Sequence, residues 1–79
     1  MAWRVVEHAS RRWHVTVAAE RRANAAQWTL VFSFRAAPPD QHSFWVTYPL
    51  QSPSRSALFA QAESVSNEDL AAIVAEHVA

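Results

Sequence analysis

The sequence predicts an α+β fold: a three- or four-stranded antiparallel β-meander followed by two short C-terminal helices packed on one sheet face. Three observations carry this expectation. Residues 3–50 fall into runs that alternate apolar and polar side chains, the period of a strand half buried against a core. The links between those runs are too short for a parallel crossover, which needs a dozen residues or more. Residues 51–79 then switch to helical spacing.

The first strand, about 3–9, is the weakest of the set, Trp3-Arg4-Val5-Val6-Glu7-His8. The second, about 13–20, places Trp13, Val15, Val17 and Ala19 on one side. The third, about 27–35, is the clearest, with Trp28, Leu30, Phe32 and Phe34 at every second position. The fourth, about 44–50, is ambiguous: Phe44, Val46 and Tyr48 compete with Trp45 for the core, and Pro49 is expected to end it. Turns are expected at 10–12, around Ala23-Asn24, and over 36–43 with Pro38-Pro39-Asp40.

Register follows from burial. Setting residue 8 opposite 14 pairs Trp3 with Ala19, Val5 with Val17 and Ala9 with Trp13, so odd positions share one face. Setting Val17 opposite Leu30 then pairs Val15 with Phe32 and Trp13 with Phe34. A one-residue slip buries Arg12, His14 and Arg35 instead.

The helices are expected at about 53–64 and 67–78. Ser52-Pro53 reads as an N-cap followed by proline at the first helical position. Leu58, Phe59, Ala62 and Val65 then share one face. Ser66 is the N-cap of the second helix, with Asp69 three residues on, and Leu70, Ile73, Val74, His77 and Val78 form its stripe. The predicted core is Trp13, Val15, Val17, Trp28, Leu30, Phe32, Phe34, Leu58, Ile73 and Val74.

Composition bounds the rest. With 79 residues the expectation is one domain, 1–79. Of the 51% hydrophobic residues sixteen are alanine, but four Trp and four Phe supply enough buried area for a core. Charged residues make up 18% and the net charge is zero, which argues against disorder. Every window of 18 residues contains a charge, so no span of the membrane is expected, and Arg4, Glu7 and His8 interrupt where a signal peptide would be apolar. The lack of cysteine excludes disulfides and thiol chemistry, and cytoplasmic residence is the expectation.

Glycine is absent, which excludes glycine-built phosphate loops and the dinucleotide fingerprint. Lysine is absent too, so every basic side chain is arginine. Charge divides along the chain: residues 1–35 carry a net +4 and residues 36–79 a net −4.

Little here points to chemistry. His8 and His14 are cross-strand neighbours in the register above, but a stable zinc site needs at least three protein ligands, and Glu7 points the other way. His42 falls in a loop and His77 at a helix end. No serine sits in a nucleophile elbow, and Glu68 with Asp69 suits the positive end of a helix. A non-enzymatic module is expected, with no metal, cofactor or small-molecule substrate.

Two binding readings remain. Trp45, Tyr48 and Phe59, on a strand apolar on both sides and the uncharged helix after it, suit a protein partner or a second copy of this chain. The alternative is a single-stranded nucleic acid on an outer sheet face bearing Arg4, Arg12, His14 and Arg35.

Overall fold

The computed structural model describes residues 3–38 and 42–78. Four strands, β1 (Arg4–His8), β2 (Arg11–Glu20), β3 (Trp28–Ala36) and β4 (Ser43–Ser52), form one antiparallel sheet in chain order. Two helices, α1 (Arg55–Ala62) and α2 (Asn67–Val78), follow and pack on one face. This is the α+β architecture that the alternation and the short links predict. Of the loop expected over 36–43, residues 39–41 lie outside the described residues, as does Ala79.

The first turn departs from expectation and changes the register with it. His8 pairs with Arg11, leaving a two-residue hairpin of Ala9 and Ser10 at φ of 52° and 64°. Both φ values positive is the pattern of a type I′ turn, whose twist matches that of the strands. A glycine-free chain makes it from residues that resist left-handed backbone. Trp13 therefore lies opposite Val6, not Ala9, and Val15 opposite Arg4. The shift is three residues, an odd number, so β1 presents the other face. Val6 is buried to 4% exposure and Val5 stands 44% exposed on the far side.

The β2–β3 pairing slips by two residues from the expected one: Trp13 opposes Ala36, Val15 opposes Phe34 and Val17 opposes Phe32. An even slip leaves every side chain on its predicted face. Asn24, at φ 72°, supplies the left-handed residue in the β2–β3 loop.

Along β4, Phe44, Val46 and Tyr48 oppose Phe34, Phe32 and Leu30, which settles the ambiguity in their favour and turns Trp45 outward. Pro49 does not end the strand. The register shifts between Thr29 and Leu30, whose partners are Gln51 and Tyr48, so Pro49 and Leu50 are the inserted pair and β4 runs on to Ser52. Proline is tolerated there because β4 is an edge strand and the ladder is already broken.

The cap of α1 is Ser54, not Ser52. The Ser54 hydroxyl accepts from the Ala57 N–H at 3.2 Å, while Ser52, buried, accepts from the Ser54 N–H. The expected helix over 53–64 is thereby trimmed at both ends. Ser66 caps α2 as predicted, accepting from the Asp69 N–H at 3.0 Å.

Trp13, Phe32, Phe34, Leu30, Leu58, Leu70, Val15 and Val74 are the largest fully buried side chains. Val17, Trp28 and Ile73, predicted core members, are half buried around them, and Val6, Ala36, Ala62 and Val65 complete the centre. An aromatic chain threads the layer: Trp3 stacks on Phe32, Phe34 on Phe44, and Phe44 on His77 of α2 at 4.4 Å. Such pairs add specificity beyond the area they bury.

Candidate interaction surface

Both helices lie on one side, so the other side of the sheet is open. Its lattice follows from the register. Val5, His14, Arg35 and Ser43 form one row across the four strands; Thr16, Ser33 and Trp45 form the next, then Ala18, Val31 and Thr47, then Glu20, Thr29 and Gln51. Most of these are small or β-branched, as strands favour. From this surface Trp45 rises at 76% exposure.

The predicted protein-binding trio is not one patch. Tyr48 points to the helix side, half buried, its ring 5.2 Å from Phe32, and Phe59 packs against the same core. Trp45 alone of the three belongs to the open face.

The predicted nucleic-acid set is broken as well. Arg12, His14 and Arg35 do face outward, as expected. Arg4 does not. With the β1 face reversed, its guanidinium donates to the backbone carbonyls of Val65 and, at 2.9 Å, Glu63, and to the Asn67 Oδ1 at 3.2 Å. It also lies 4.2 Å from the Trp3 ring, whose indole N–H donates to Glu63. Arg4 thus ties β1 to the link between the helices. The same reversal puts His8 on the helix side and His14 on the open side, so the two histidines are not neighbours.

Charge on the open face is balanced. The strands set Glu7, Arg12, Glu20 and Arg35 there, two of each sign, and Arg12 already faces Glu7 at 3.8 Å. Both members of that pair are well exposed, so it contributes little to stability. At the end of this face Glu20, Arg22, Gln27 and Gln51 rim a hollow of about 500 Å³. Its lining is polar and open, unlike the apolar clefts that hold small ligands.

Among the described residues, no three His, Cys, Asp or Glu side chains gather closely enough to hold a metal. No described helix is long and apolar enough to cross a membrane. Searches of family models, curated proteins and solved structures match nothing to this chain.

Proposed function

We propose that this chain is a small, non-enzymatic cytoplasmic binding module that recognises protein through the open sheet face, with Trp45 as its anchor. One observation carries the reading. A tryptophan 76% exposed stands on a face whose strands carry two charges of each sign. Tryptophan is among the side chains most enriched at interface hot spots. A nucleic-acid platform needs an excess of positive charge and several stacking rings. The strands of this face offer two arginines against two glutamates, with Trp45 and His14 as the rings, and Arg4 is turned to the helix link.

Site-directed photo-crosslinking in the source cell tests the proposal. A photoreactive residue at position 45 is expected to give protein adducts, and one at exposed Gln61 on α1 none. Anisotropy titration at low salt is expected to show no affinity for single-stranded DNA or RNA. Absence of protein adducts at 45 overturns the proposal. So does tight, salt-sensitive oligonucleotide binding that is lost on substituting Arg12 and Arg35.

A further inference from the structure

We infer that the partner at Trp45 is a second copy of this chain, joined β4 to β4 in antiparallel pairing about a two-fold axis through Trp45. The inference rests on the binding reading above and goes further, to the occupant and the register, and it places the contact at the β4 edge of that face, where Trp45 stands.

The backbone at the edge comes first. The Ala36 N–H donates to the His42 carbonyl at 2.9 Å, and these two residues lie in the same register as Phe34 and Phe44. In an antiparallel ladder, hydrogen-bonded pairs alternate with non-bonded ones. Phe44, Val46 and Tyr48 are therefore the residues bonded to β3. The N–H and C=O groups of Ser43, Trp45 and Thr47 point the other way, out of the sheet, where the strand order ends.

The two edges of the sheet differ sharply. β1 has five residues and carries Arg4, Glu7 and His8. β4 has ten residues and no charged side chain at all. Edges left unpaired in solution are ordinarily short, charged, bulged or rich in proline. Here Pro49 and the irregularity beside it guard only the later half, and 43–47 is left without protection.

What selects a second copy over any other strand is the pattern of that segment. Ser43-Phe44-Trp45-Val46-Thr47 reads nearly the same from either end: hydroxyl, apolar, tryptophan, apolar, hydroxyl. Placed on a two-fold axis, Ser43 meets the second copy's Thr47, Phe44 meets its Val46, and Trp45 meets its own counterpart on the open face. The outward groups of 43, 45 and 47 then face each other as bonded pairs, each exchanging two N–H···O bonds. Hydroxyl pairs and aromatic pairs directly opposite are favourable, and an isologous contact demands this self-complementarity. Proline bars one alternative register. Sliding the copies by two residues toward Ser52 sets Ser43 against Pro49, which has no N–H to give.

A charge-swap experiment tests it. Light scattering and sedimentation from micromolar to millimolar concentration are expected to show a monomer–dimer equilibrium for the wild-type chain. Trp45→Lys and Trp45→Glu, each alone, place like charges opposite one another across the axis and are expected to raise the dissociation constant by about tenfold or more. An equimolar mixture of the two is expected to recover the dimer. Because residue 45 is exposed, both variants keep the fold, which circular dichroism checks. Amide exchange at Ser43, Trp45 and Thr47 is expected to slow as concentration rises. A wild-type chain monomeric throughout the range overturns the inference, as does a dimer indifferent to the charges or a mixture that stays monomeric. Protein adducts at position 45 together with a monomeric chain sink the self-pairing and leave the binding module standing. Neither adducts nor dimer sinks both.

Discussion

Arg4 of β1 donates to the backbone carbonyl of Val65, within the link that joins α1 to α2. Carbonyls in a link between helices have no helical partner, and here an arginine from the edge strand β1 supplies one to Val65 and one to Glu63. Replacing Arg4 by alanine is expected to cost about 1–2 kcal/mol, since its bonds are charge-assisted but partly exposed. Arg12→Ala, which removes only a surface ion pair, is expected to change stability by no more than about 0.5 kcal/mol. Urea unfolding of the two variants measures the contrast. Equal losses would contradict the distinct roles assigned to these two arginines.

The β1–β2 hairpin is the second place to probe. Ala9 and Ser10 hold positive φ without a glycine between them. Ala9→Asn with Ser10→Gly supplies the residues that a type I′ turn favours. The pair is expected to raise stability by about 1 kcal/mol, relief of left-handed strain outweighing the added freedom of glycine in the unfolded chain. A fall in the thermal midpoint would show that the turn is not of this type.

Phe32 and Trp45 make a matched test of the two sheet faces. Phe32 is fully buried and touches the rings of Trp3, Phe34 and Tyr48. Phe32→Ala is expected to cost about 3–5 kcal/mol, a large share of what a small domain has. Trp45→Ser should leave the monomer within about 0.5 kcal/mol of wild type, measured at a concentration too low for association. Similar losses at both positions would mean that the open face is covered.

Helix entry gives a further contrast. Ser54→Ala and Ser66→Ala each remove a hydroxyl that accepts from the first turn, and each is expected to cost about 1 kcal/mol. Thermal unfolding of each variant checks this, with Gln61→Ala, on the exposed surface of α1, as the neutral comparison.

Sequence pattern made the strands, the helices and most of the core legible, because alternation at Leu30, Phe32 and Phe34 leaves one choice of face. Register was legible only modulo two. Slipping β2 against β3 by two residues changes every partner and no environment, so no burial argument detects it. At β1 the parity itself was hidden. Trp3 and Val5 argue for one face and Val6 for the other, and the decision falls to Arg4, which alternation alone sends to water. An arginine that finds backbone carbonyls has no such need. The missing glycine also disguised a two-residue turn as a longer loop. For the candidate site, Trp45 was visible as a large apolar residue out of step with its strand. Its separation from Tyr48 follows from strand alternation alone; its separation from Phe59 does not, because that depends on which side of β4 the helices cover.

Chain order and strand order coincide in this sheet, and both helices come last. On the ribosome, each strand can zip onto the one before it as it emerges, with no long-range partner to await. The cover arrives only afterwards. Until residues 55–78 have cleared the exit tunnel, Trp13, Leu30, Phe32 and Phe34 line a wet apolar surface on a nearly finished sheet. A nascent chain that has emerged from the tunnel only as far as Ser54 is therefore at its stickiest, and it is there that a chaperone has most to do.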